Sequence, residues 1–222
     1  MNENFTIQEL SIVILARQHN PSILNPDFLK YNDIVPKEWE LSAPPLCVEP
    51  MAQVQFKNTI NITAQLDKII FFEKIAEKNE TEILTPEVAY NYIKTLPHVE
   101  YIAVGINPKG HVAINLKTDD GYKFLSEKFI TSGPWQDFGD SNLKPNLKFT
   151  YTFGNIVCTL AFEVGFLKGQ EKKHVIIIDA NIHHALTGGD RKNRFAELCE
   201  FLKNWKNDVN LYKDIVEKFF IQ

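Results

Sequence analysis

From Asn146 to Asp179, large apolar and polar side chains alternate with a period of two, the spacing of a β-strand. Leu147, Phe149, Tyr151 and Phe153 fall on one face, with Lys148, Thr150 and Thr152 on the other. Gly154-Asn155 suits a tight hairpin, because glycine accepts positive φ in the first turn position. The alternation resumes with Ile156, Cys158, Leu160, Phe162, Val164 and Phe166. Lys168 to Lys173 is too charged to bury and reads as a turn. The β-branched run Val175-Ile176-Ile177-Ile178 reads as a strand covered on both faces, hence central in its sheet. Residues 147–153, 156–166 and 174–179 are therefore predicted to be adjacent antiparallel strands, delivering a polar loop from Asp179 to Asp190.

The rest of the chain follows the same logic. Leu10 to Ala16 reads as a buried strand that ends where Asn20-Pro21 signals a turn. Pro36, Pro44, Pro45 and Pro50 argue against a long regular element before Met51, while Phe28 and Trp39 predict packing at the sheet's edge. Residues 54–56, 60–64 and 69–72 form a second meander. Thr85-Pro86 marks a helix start, with Thr85 as the cap and Val88, Ala89, Tyr92 and Ile93 as the apolar stripe. Asn107-Pro108-Lys109-Gly110 fits a hairpin loop between strands at 101–106 and 112–116. Asp119 or Asp120 is placed to cap a helix carrying Tyr122, Leu125 and Phe129. Asp190 caps a helix carrying Phe195, Leu198, Cys199, Leu202 and Trp205, and Asn207 or Asp208 caps a last one. The predicted class is α+β: mostly antiparallel sheet built from meanders and hairpins, helices on one side, and two C-terminal helices. Residues 1–222 read as a single domain, with two structural halves at about 1–117 and 118–222 suggested by the repeated layout.

Composition narrows the function classes. Hydrophobic content of 44% and charged content of 23% are ordinary globular values. A net charge of −4 argues against a nucleic-acid surface. Cys47, Cys158 and Cys199 are odd in number and widely spaced, which fits a reducing cytoplasm better than a disulfide framework. The apolar run at residues 11–16 is far shorter than a membrane span, and no basic region precedes it as in a leader.

Three clusters are candidate sites. Asp179, His183, His184 and Asp190 place two carboxylates and two imidazoles within one predicted loop, a donor set that suits a divalent transition metal. Adjacent histidines on a strand point opposite ways, and Gly188-Gly189-Asp190 is fully explained as a turn followed by a helix cap. Arg17, His19 and Asn20 form a polar cluster where a buried strand emerges, residue types that strand ends and Asx turns also use. Trp135 lies beside Asp137 and Asp140, acids that could do proton transfer but lack a partner base. Phosphate-loop, dinucleotide, serine-hydrolase and zincin signatures are absent.

The block Ala16-Arg17-Gln18-His19-Asn20-Pro21, Asn25-Pro26-Asp27-Phe28-Leu29, Ile34-Val35-Pro36 and Trp39-Glu40-Leu41 resembles the N-terminal block of prokaryotic proteins that carry no assigned function. The resemblance covers the first third of the chain. It implies that the His-Asn-Pro and Asn-Pro-Asp-Phe-Leu strings are family features, and it transfers no activity. The expected function is a non-enzymatic cytoplasmic interaction or regulatory protein, a subunit of a prokaryotic complex. It would have a protein partner or a second copy of itself, no membrane and no cofactor. The alternative is a metal-dependent enzyme or metal-binding protein using Asp179 to Asp190.

Overall fold

The structure, a computed structural model, describes residues 5–113, 120–136, 138–141, 143–167 and 170–221. Alternating burial carries the chain into nine strands: β1 (Phe5–Arg17), β2 (Leu46–Val48), β3 (Met51–Gln55), β4 (Asn61–Gln65), β5 (Lys68–Lys74), β6 (Glu100–Ala113), β7 (Leu147–Phe153), β8 (Ile156–Leu167) and β9 (Gln170–Ala185). They form one antiparallel sheet in the order β2-β3-β4-β5-β1-β6-β9-β8-β7. The helices are α1 (Pro26–Tyr31), α2 (Thr85–Thr95), α3 (Gly121–Phe129), α4 (Arg191–Lys203) and α5 (Trp205–Phe220). No helix among the described residues is long and apolar enough to cross a membrane.

All five helices pack on one face. Leu29 of α1, Tyr92 and Ile93 of α2, and Leu198 and Leu202 of α4 join Leu10, Ile12, Ile14 and Phe71 in one buried cluster. Leu125 of α3 and Tyr212, Ile215 and Val216 of α5 join Cys158, Leu160, Phe162, Ile176 and Ile178 in a second. The α+β class, the antiparallel meanders, the one-sided helices and the two C-terminal helices are thus as the sequence indicates. The layout also repeats. Outward from the central β1–β6 pair the sheet reads β1, β5, β4, β3 on one side and β6, β9, β8, β7 on the other. Each arm has a strand, a segment with a short helix and a three-stranded meander; the first adds the edge strand β2 and closes with α2, and the second closes with α4 and α5. The repeat changes over between α2 and β6; the 117/118 division read from the sequence lies outside the described residues.

Five local expectations are corrected. The turn read at residues 168–173 is strand from Gln170 onward, where β9 begins, and residues 168–169 lie outside the described residues. Asn107-Pro108-Lys109-Gly110 is no hairpin, because β6 runs straight through it. Pro108 has no N–H to give, and the β6–β9 ladder has no pairing between Ile106↔Ile182 and Lys109↔Asp179. The neighbouring β1 takes up the irregularity with a bulge between Ile7 and Glu9. The Asp179–Asp190 loop is also largely strand, since β9 continues to Ala185 with Ala180, Ile182 and His184 turned into the core. Thr85 is not the cap of α2, which is capped from outside the helix by Glu73. Finally, α5 begins at Trp205, so Asp208 lies within its first turn rather than before it. Asp120 and Asp190 do cap α3 and α4, accepting from Tyr122 and Lys123 N–H and from Asn193 N–H respectively. Asp119 lies outside the described residues.

Candidate functional site

With every helix on one face, the other face of the sheet is left without a helical layer among the described residues. In the run Val175–Ile178, Ile176 and Ile178 are fully buried under the helices, while on the free face Val175 is buried and Ile177 half-buried. Strand register arranges this free face in rows perpendicular to the chain. The middle row crosses eight strands as Gln55, Asn61, Phe72, Ser11, Asn107, Asn181, Thr159 and Thr150, with Asn107 and Asn181 facing each other by the register of the flanking pairs, in the gap of the β6–β9 ladder. Seven of these eight side chains are uncharged amides or hydroxyls, so the row is a line of hydrogen-bonding groups without net charge. The row on one side is milder and more apolar, running through Thr63, Ile70, Val13, Gly105, His183 and Val157. The row on the other side alternates in sign as Lys74, Glu9, Lys109 and Asp179, and Lys109 Nζ lies 3.7 Å from Asp179 Oδ2.

Several of these groups already satisfy one another. Gln53 Nε2 donates to Thr63 Oγ1 at 3.1 Å, Gln55 Nε2 donates to Gln53 Oε1 at 2.9 Å, and the Thr150 and Thr159 hydroxyls lie 3.2 Å apart. Gly105 is the one central position without a side chain. A Cβ there would come within 3.0 Å of Asn107 Oδ1 and 3.4 Å of Asn181 Oδ1, so the glycine lets both amides lie over the strand. Asn107 Oδ1 is buried without a hydrogen-bond partner, as is His111 Nδ1.

The sequence-predicted metal set does not converge. Asp179 and His183 lie on the free face but four residues apart on one strand, about 13 Å. His184 points the other way and is buried under α5, with Nε2 3.0 Å from Asp208 Oδ2 and its ring stacked on Phe201. Asp190 lies beyond the strand, occupied as the α4 cap. No group of three or more metal-ligating side chains forms among the described residues. Burial pushes the Asp179 carboxyl up, partly offset by Lys109. The sequence offered no sign of the His184–Asp208 pair, because its partners are 24 residues apart and on different elements.

Arg17, His19 and Asn20 separate in the same way. Arg17 is exposed and pairs with Glu100 at 3.2 Å. Asn20 Oδ1 accepts from Ser22 N–H and Oγ, holding the turn after β1. His19 is 1% exposed. Its Nδ1 donates to the Gln65 carbonyl at 3.1 Å, so Nε2, 2.9 Å from the Tyr92 hydroxyl, accepts from it. Trp135 is half-exposed and lies over Gly133; Asp140 is exposed, and Asp137 lies outside the described residues.

Burial holds the His19 imidazole below its ordinary range, and burial acts on His111 in the same direction. A folded-state value below the unfolded one means that the unfolded chain takes the proton first. The stability is therefore complete above the unfolded value near ~6.5 and falls as pH drops below it. Urea unfolding at stepped pH is expected to show this acid loss, and His19→Gln is expected to flatten it. An equal acid slope in both proteins would remove His19 from the account.

Cys47, Cys158 and Cys199 are all free thiols. Cys158 is fully buried in the second cluster, and burial pushes its thiol up to about 11. No protein-family model matches the chain, and no curated protein matches it either.

Proposed function

We propose that the chain is a non-enzymatic, cytoplasmic interaction protein, a subunit or regulator of a prokaryotic complex, which receives a folded protein partner on the free face of its sheet. The observation that supports this is the helix-free face itself. The middle row crosses eight strands, seven intervals at about 4.8 Å or roughly 34 Å, long enough to carry the ~800 Å² per partner of a specific protein interface. The face's mixture of amides, hydroxyls and half-buried Val13, Leu15, Ile70, Phe72 and Ile177 has the mixed polarity of a non-obligate interface. A nucleic-acid partner fits poorly. Glu9 stands between Lys74 and Lys109, and Asp179 offsets Lys109, so no cationic stripe is left to line phosphates. Metal-dependent chemistry fits poorly as well, with Asp179, His183, His184 and Asp190 divided between two faces and a helix cap.

The test is purification of the full chain from its host at physiological salt, followed by the partner's stoichiometry. Asn181→Arg and, separately, Gln55→Arg put a bulky charge on the middle row of either arm. Each is expected to strip the partner while moving Tm by no more than about 2 °C. Lys192→Glu, at an exposed position of α4, is expected to keep the partner bound. Absence of a stoichiometric partner, or one that survives both arginine variants, overturns the proposal.

A further inference from the structure

The two edges of the sheet are managed differently. At one edge β2 is three residues long and leads straight into Glu49-Pro50, a short edge closed by a charge and a proline. At the other edge β7 is seven residues long, regular and without a bulge, and Lys148 is its only charge. A strand of that length and regularity leaves a row of unpaired backbone groups open to pairing.

Hairpin geometry says which groups those are. The two-residue turn Gly154-Asn155, with Gly154 at φ +60, makes Phe153↔Ile156 the closing hydrogen-bonded pair. Hydrogen-bonded and non-bonded pairs then alternate back along the strand. Phe153, Tyr151, Phe149 and Leu147 direct their backbone bonds to β8, and the N–H and C=O of Lys148, Thr150 and Thr152 face outward. All three of those residues are exposed.

We infer that β7 pairs with β7 of a second copy of this chain, antiparallel and centred on Thr150, forming a two-fold dimer with one continuous sheet. The strand is complementary to itself in this register. Thr150 meets Thr150 on the axis, Lys148 meets Thr152, Phe149 meets Tyr151 and Leu147 meets Phe153. Every outward N–H and C=O finds a partner, because the three outward residues pair among themselves and each pair exchanges two bonds. No lysine faces a lysine, and the helix-side face gains aromatic and apolar cross-strand pairs. Phe153, 42% exposed in the single chain, is covered by Leu147 of the second copy. The register centred on Thr150 pairs all seven residues of β7; a shift to a centre at Phe149 or Tyr151 leaves one end unpaired. Such an interface is isologous and closes at two copies, so it satisfies both edges without building a fibre.

The register can be tested at the axis. Sedimentation of the full chain up to about 100 μM is expected to show twice the 25.6 kDa chain mass. Thr150→Lys sets two ammonium groups face to face on the axis, and Thr150→Glu sets two carboxylates. Each variant alone is expected to sediment as the single chain with unchanged circular dichroism. Their equimolar mixture is expected to recover the dimer, weakened by high salt. Thr150→Pro removes one outward N–H and no intrachain ladder bond, and is also expected to give the single chain. A wild type that stays single at every concentration, a dimer indifferent to Thr150→Lys, or a mixture that fails to reassociate each overturns the inference.

Discussion

Replacing Phe162 by Ala is expected to lower the stability of the fold by about 3–5 kcal/mol. Phe162 is fully buried at the middle of β8 and sits at the centre of an aromatic cluster. Its ring centroid lies 5.5 Å from Phe129, 5.4 Å from Phe149, 6.2 Å from Phe219 and 5.3 Å from Phe220. Those four rings come from α3, β7 and α5, so one side chain ties the sheet to two helices of the second arm. Truncation removes the transfer free energy of the ring and leaves a cavity that three elements would have to move together to fill. In a chain of this size each kcal/mol shifts Tm by about 2–4 °C, so a fall of roughly 10 °C or more is expected in a thermal melt. Phe166, on the same strand but 53% exposed, supplies the contrast. Phe166→Ala should cost under about 1 kcal/mol. Equal losses at the two positions would mean that the core is not organised around Phe162.

How much of this was legible in the sequence depends on how local the cause is. The β7–β8–β9 meander could be read because alternation is a property of the strand itself, and Gly154-Asn155 marks its turn without help from the rest of the chain. The same reasoning failed at Asn107–Gly110, where proline and glycine spell a turn locally. There β6 is held extended by β1 and β9 on either side, and the bulge near Gln8 absorbs the mismatch. The strand through His183 and His184 was hidden for a related reason. Alternation does continue through Ala180, Ile182 and His184, but His184 can be buried only because Asp208 on α5 meets its ring nitrogen. His19 drew notice as a polar group at a strand end, and its partners Gln65 and Tyr92 are 46 and 73 residues away. The free face was the least legible feature. Its rows run across the strands, so Asn107 and Asn181 become neighbours only through register, and no stretch of sequence contains a row.

Glu73→Ala is expected to match the core truncation in cost, at about 3–5 kcal/mol, because it would remove the carboxylate that caps a buried helix start and leave three donors there unpaired. In sequence Glu73 is one acid among the charges that follow Phe72, with nothing to single it out. In the structure it is fully buried at the end of β5. Its Oε2 accepts from Leu84 N–H at 2.9 Å, from Thr85 N–H at 2.8 Å and from the Thr85 hydroxyl at 2.6 Å. Its Oε1 accepts from Lys78 Nζ at 2.6 Å. Three of these four donors belong to the start of α2, where Leu84 stands at the cap position and has no side-chain oxygen to offer. The carboxylate therefore does from the sheet what an Asn or Asp would do from the helix, and the positive end of the helix dipole adds to the attraction. This assigns unequal weights to its partners. Lys78 is 24% exposed and can return its ammonium to water when Glu73 is removed, whereas Lys78→Met leaves Oε1 of the buried carboxylate without its donor and should cost about 1–3 kcal/mol. Glu73→Gln keeps the shape but turns an amide N–H₂ toward donors, and should fall nearer to Glu73→Ala than to wild type. Urea denaturation gives the three stabilities, and hydrogen exchange at the Leu84 and Thr85 amides should quicken in both Glu73 variants and not in Lys78→Met. Equal losses from Glu73→Ala and Lys78→Met would make the ion pair, and not the helix cap, the reason a carboxylate is buried there.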